Sequence, residues 1–91
     1  MRKFLLPRDI TFSIVVRNRA GVVYEGEAYA LSSYNAKGAF DVLPLHTNFI
    51  SLIKTSIHIY KKDGVEEELP IDTGVLYVKK NKVEVYLGIL Y

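Results

Sequence analysis

The sequence predicts an all-β fold, a two-sheet β-sandwich of about eight to ten short strands. Hydrophobic residues recur with a period of two almost everywhere, and turn signals interrupt the runs about every eight to twelve residues. No window keeps a 3.6-residue period long enough for a helix.

Ile10, Phe12, Ile14 and Val16 alternate with Thr11, Ser13, Val15 and Arg17, as a strand with one buried face requires. Asn18-Arg19-Ala20-Gly21 is a turn, and Val22 to Leu31 reads as a second, longer strand. The stretch from Gly38 to Ile50 opens as a strand that stops abruptly at Pro44, because proline has no N–H and fixes its own φ. Ile57 and Ile59 alternate with His58 and Tyr60 and run into Lys61-Lys62-Asp63-Gly64. Asp-Gly between two alternating runs signals a hairpin, since both positions tolerate positive φ. Val65 to Ile71 returns, Gly74 breaks the run, and Val75 to Val78 continues it. Lys79-Lys80-Asn81-Lys82 then turns into Val83 to Leu87.

Ninety-one residues suffice for one domain. We expect residues 1–9 to form an N-terminal extension and residues 10–91 the sandwich. Hydrophobic residues make up 49% and charged residues 24%, yet no segment approaches the roughly 18 apolar residues of a membrane span. Direct membrane insertion is therefore not expected. Phe4-Leu5-Leu6 after Met1-Arg2-Lys3 is too short for a signal peptide, and Pro7-Arg8-Asp9 ends it. The chain has no cysteine, so neither a disulfide nor a thiolate metal site holds the fold. A net charge of +2, without an arginine-rich stripe, argues against a nucleic-acid partner.

The run Gly38-Ala39-Phe40-Asp41-Val42-Leu43-Pro44-Leu45-His46 resembles the signature of the epsilon subunit of the rotary F-type ATP synthases (delta in mitochondria). That signature reads roughly Gly-Glu-Phe-Gly-Val-Leu-Pro-Gly-His. The resemblance extends from about Ile10 to Leu87. Gly21-Val22-Val23-Tyr24-Glu25-Gly26-Glu27 is similar to the family's Val-Phe-Ser-Gly-Glu segment. Asp72 to Val78 resembles Ser-Gly-Gly-Phe-x-Glu-Val, and Asn81 to Val85 resembles Asn-x-Val-Thr-Val.

The resemblance implies the family's N-terminal β-sandwich, which joins the gamma subunit to the rotor ring and turns with them in proton-driven ATP synthesis. It implies a non-catalytic central-stalk role without a cofactor, at the cytoplasmic inner face of an energy-transducing membrane. In the family a helical hairpin follows; this chain stops at Tyr91, where it would begin, so coupling without the inhibitory arm is the expectation. The implied contacts with gamma or the ring are Tyr34, Asn35, Lys37, Gly38, Leu45, His46, Thr47 and Phe49.

Several residues depart from the pattern. Leu45 replaces a glycine, Asp41 replaces another, Thr47-Asn48-Phe49 stands for Ala-Pro-Leu, and Thr55-Ser56 replaces a Pro-Gly turn. A glycine needed for positive φ cannot become leucine without strain, so the loop at Leu45 is expected to be rebuilt. Lys37 lies where the family carries acids, which reverses the sign of a contact charge.

Other chemistry is weaker. Asp72-Thr73-Gly74 is the triplet of retroviral-type aspartic proteases, but only seventeen residues follow Gly74, too few for a flap and dimer strands. A strand-end turn is the plainer reading. His46 and His58 are the only imidazoles, without the spacing of a zinc site. His58 is expected to face solvent; His46 either touches a partner or fixes its own loop. Glu66-Glu67-Glu68 opposite Lys61-Lys62 reads as a solvated hairpin with exposed ion pairs. Seven tyrosines suit core edges and a contact face. The alternative function is a free-standing homodimeric adaptor of the same fold, since exposed sheet edges invite pairing.

Overall fold

The computed structural model of the chain describes residues 9–88. The expected extension at residues 1–9 therefore lies, but for Asp9, outside the described residues. Among the described residues every regular element is a strand: β1 (Phe12–Asn18), β2 (Gly21–Ala28), β3 (Ala30–Asn35), β4 (Gly38–Val42), β5 (Phe49–Tyr60), β6 (Glu66–Lys79) and β7 (Lys82–Leu87).

Hydrogen bonding links them in the order β2-β1-β7-β6-β5-β3-β4. All neighbours are antiparallel except β1 and β7. This order cannot be flat. Strands β2 and β3 stand five places apart, about 24 Å at roughly 4.8 Å per step. Only Tyr29 separates them in the chain, a reach of about 7 Å. The ladder must therefore fold over so that its two halves face each other.

One hydrophobic cluster fills the space between the halves. It takes Phe12, Ile14 and Val16 from β1, Leu31 from β3, Val42 from β4, Ile53, Ile57 and Ile59 from β5, Leu76 and Val78 from β6, and Val83 and Val85 from β7. Their alternation with half-buried and exposed neighbours is the expected period of two. Ile10, expected on the inner face, precedes β1 and is 44% exposed.

The strand boundaries depart from the expected ones at three places, each for a local reason. The run Val22 to Leu31 divides at the buried Tyr29, whose N–H donates to the Tyr60 carbonyl at 2.9 Å as the chain crosses between halves. Gly74 does not break β6. A Cβ there would lie 2.9 Å from the Tyr86 carbonyl oxygen, so the glycine is needed for the close approach of β7. Thr55-Ser56, matched to a turn, instead lies inside β5.

At Thr55 φ is +78°, a strained value for a β-branched residue, and the β5–β6 register shifts between Lys54 and Thr55. Lys54 pairs with Thr73 and Thr55 with Ile71, which leaves Asp72 as the extra residue of a bulge. On the other side of β5, Ser33 loses its ladder partner. Its buried hydroxyl donates to the Ser56 carbonyl at 2.8 Å, replacing part of the lost pairing. The bulge re-aims both long strands and lets each serve the two halves.

Candidate protein-docking site

The β3–β4 turn is shaped by Asn35. Its Oδ1 accepts from the Lys37 N–H at 2.9 Å, and its Nδ2 donates to Ser51 Oγ at 3.2 Å. Gly38, at φ +117°, takes a conformation other residues rarely reach. Ala36 and Lys37 therefore project into solvent on a turn anchored to β5.

The loop after β4 ends the strand two residues before Pro44, as the sequence suggests. His46 N–H donates to the Leu43 carbonyl at 3.2 Å, closing a tight turn. Leu45 sits in that turn at φ +62° with 76% of its surface exposed. The leucine is held at positive φ because its amide donates to Asn81 Oδ1 at 2.8 Å, which fixes the turn from outside. Asn81 Nδ2 in turn donates to the Thr11 carbonyl at 2.9 Å, so one side chain clamps this loop and the start of β1 onto the β6–β7 turn.

His46 is half-buried and its Nδ1 lies 2.8 Å from the Thr47 carbonyl, a hydrogen bond that requires the proton on Nδ1. Its ring meets Phe49 edge-on at 5.6 Å, and Phe49 packs on Phe40 at 5.6 Å. These contacts give His46 a loop-fixing role.

The structure brings some of the expected contact residues together and separates others. Asn35, Lys37 and Phe49 line one shallow groove with Ile50, Ser51 and Leu52. Leu45, His46 and Thr47 lie across Phe49 from that groove, held toward Asn81. Tyr34, 36% exposed, lines a different groove with Ser32, Ala39, His58 and Tyr60.

The outer face of β5, β6 and β7 was not anticipated. Ile50 pairs with Tyr77, which pairs with Glu84; Leu52 pairs with Val75, which pairs with Tyr86. Ile50 is 66%, Leu52 48% and Tyr86 40% exposed. The signal was available: Ile50 and Leu52 alternate with Ser51 and Ile53, but only a strand assignment over these residues reveals two apolar faces.

Alternative chemistry finds no support here. Asp41, Ser32, His58 and Glu68 form a row across four strands. Ser32 Oγ, however, donates to Asp41 at 2.7 Å, and His58 Nε2 faces Glu68 at 3.6 Å, so the hydroxyl proton is directed away from the imidazole. His58 is partly buried beside that carboxylate rather than fully solvated. Asp72 is exposed on the bulge and Gly74 is buried in mid-strand, which makes the Asp-Thr-Gly triplet part of β6. At the β5–β6 tip, Lys61 Nζ lies 2.7 Å from Glu67 Oε1 and 5.7 Å from the Tyr24 ring centroid. The hydrogen bond that the Lys61 ammonium donates to Glu67 holds its pKa above the ordinary value.

Residues 10–88 match the family described as "ATP synthase, Delta/Epsilon chain, beta-sandwich domain". The chain belongs to this family. Among similar proteins, the ATP synthase epsilon chain of Geotalea uraniireducens is 35% identical over 63 residues, covering 69% of this chain and 46% of that one. That of Sulfurimonas denitrificans is 38% identical over 64 residues (69% and 49%), and that of Campylobacter fetus 29% over 83 residues (89% and 64%). The chain thus spans about half the length of the first two relatives. The fold is shared with chains in the mitochondrial ATP synthases of Euglena gracilis (TM-score 0.76, 12% identity, 96% of this chain and 54% of that one) and Tetrahymena thermophila (TM-score 0.70, 10% identity, 87% and 64%). The positions that carry the epsilon resemblance have structural work in this chain. Gly38 supplies positive φ, Gly74 admits β7, and a Cβ at Gly26 would lie 3.1 Å from the Tyr24 hydroxyl.

Proposed function

We propose that this chain is the β-sandwich part of a central-stalk subunit that couples a gamma subunit to the membrane rotor ring during proton-driven ATP synthesis. The carrying observation is the match of residues 10–88 to the delta/epsilon sandwich family. The relatives are named as epsilon chains, and the Tetrahymena neighbour lies in a central stalk and c-ring assembly. The role is mechanical and non-catalytic. It needs complementary surface and a stiff body, which the continuous ladder and single core supply.

In this reading gamma packs on the exposed apolar face around Ile50, Leu52 and Tyr86. The loops carrying Tyr34, Asn35, Lys37, Gly38 and Leu45, His46, Thr47, Phe49 complete the contacts with gamma or the ring. The complex then works at the inner, cytoplasmic face of an energy-transducing membrane. Capture of a tagged chain from its own cells, with gamma and ring subunits sought by mass spectrometry, tests the role; their absence from a complex that forms would contradict it.

One observation favours a second reading. Strand β2 ends the ladder, and its Val22 and Val23 are 56% and 47% exposed. An edge of this kind supports a homodimeric adaptor built on the same fold.

A further inference from the structure

Lys37 shares a groove with Ile50, and Ile50 pairs directly with Tyr77 on the outer sheet face. Tyr77 in turn shares a second groove with Lys79, Lys80 and Lys82. The two grooves are therefore one strip, with an exposed apolar centre and lysines at both margins. Among the described residues its only lining carboxylate is Glu84, which is already engaged: Glu84 Oε2 accepts from the Tyr86 hydroxyl at 3.1 Å and lies 3.9 Å from Arg17.

The lysines are arranged at a cost to the isolated chain. Lys79 and Lys82 stand directly opposite each other in the β6–β7 register, where like charges repel. Lys80 occupies the first position of the two-residue turn at φ +51°, where glycine or asparagine is favoured. The carboxylates Glu66, Glu67 and Glu68 are gathered at the other end of β6.

We infer that the strip Lys37–Ile50–Tyr77–Lys79/Lys82 docks an acidic protein segment that places an apolar side chain on Ile50 and carboxylates against the lysines. An apolar centre with a charged rim is the anatomy of a protein interface. The most exposed apolar residue of the centre is the aliphatic Ile50 rather than a ring on which a base would stack, and a lipid surface offers no side chains for the two grooves. The inference extends the stalk reading only in the chemistry of the partner: an epsilon-type contact in this chain requires an acidic counterpart.

The test uses the chain with three probes: a synthetic peptide alternating glutamate and leucine, vesicles containing phosphatidylglycerol, and the gamma–ring complex of the same cells. The peptide is expected to shift the NMR signals of Lys37, Ile50, Tyr77 and Lys79. The double variant Lys79→Glu/Lys82→Glu should weaken its binding about tenfold, and Lys61→Glu/Lys62→Glu at the far end should not. A wild-type pattern of backbone amide NMR signals away from the substituted positions in each double variant excludes misfolding. Peptide binding that shifts other residues, or resists the Lys79/Lys82 reversal, overturns the inference, as does binding to vesicles alone. If the gamma–ring complex binds wild type and the Lys79/Lys82 variant equally, the inference fails and the stalk reading stands. If the peptide binds as expected and the gamma–ring complex does not, the stalk reading fails and the inference stands.

Discussion

The Leu45 amide donates to the Asn81 side-chain oxygen 2.8 Å away, joining loops 36 residues apart in the chain. Both residues hold positive φ, +62° and +60°, so each turn stabilises the other in a conformation that neither leucine nor most residues choose alone. The Asn81 amide also binds the Thr11 carbonyl. One asparagine therefore fixes an entire end of the sandwich.

Asn81→Ala removes two hydrogen bonds and places a Cβ-bearing residue without a local polar partner at positive φ. Unfolding in urea should show a loss of about 2–3 kcal/mol. Asn81→Gly loses the same bonds but relieves the backbone, so its loss should be about 1–2 kcal/mol. Equal stability of wild type and both variants would show that the clamp contributes nothing.

Leu45→Gly should leave the fold intact and raise stability by up to about 1 kcal/mol, because the side chain is mostly solvent-exposed and the left-handed strain is relieved. If Leu45 is a partner contact, affinity falls while stability rises. Parallel loss of both would mean the side chain supports the loop itself.

Gly74→Ala drives a Cβ to 2.9 Å from the Tyr86 carbonyl oxygen and 3.1 Å from Leu87 Cδ2. We expect a loss of about 1–3 kcal/mol, with amide exchange quickened first along β7. An unchanged denaturation midpoint would show that β7 can move aside.

The Lys61 pKa is raised above 10.5 in the folded chain, chiefly by the hydrogen bond to Glu67. A raised pKa means that folding favours the charged lysine. The resulting stability is fully present below the unfolded value of 10.5 and is lost as pH rises through the folded value. The stability difference between wild type and Lys61→Gln should therefore be constant from neutral pH to about pH 10 and shrink above it. A difference that does not change with pH would assign the effect to packing on Tyr24.

Much of this was legible in the sequence, because inner-face alternation and turn residues are local signals. The strands at Phe12–Val16 and Val83–Leu87 and the turns at Asp63-Gly64 and Lys79–Lys82 all appear where the pattern puts them. What was hidden depended on distant partners. Gly74 looks like a break until β7 lies against it, and Thr55 looks like a turn until β6 supplies the bulge. Leu45 appears incompatible with its loop because nothing nearby announces Asn81. The loops proposed as contacts rest on the resemblance, whereas the outer strip required the register that sets Ile50 beside Tyr77.

Calorimetric titration of this chain into the gamma subunit of its own source, with Leu45→Asp and His46→Ala as comparison variants, decides between the stalk role and the adaptor. Micromolar or tighter binding of the wild-type chain is expected, weakened by Leu45→Asp at the exposed loop tip. An absence of binding by a folded chain that forms a stable homodimer in light scattering would contradict the stalk role.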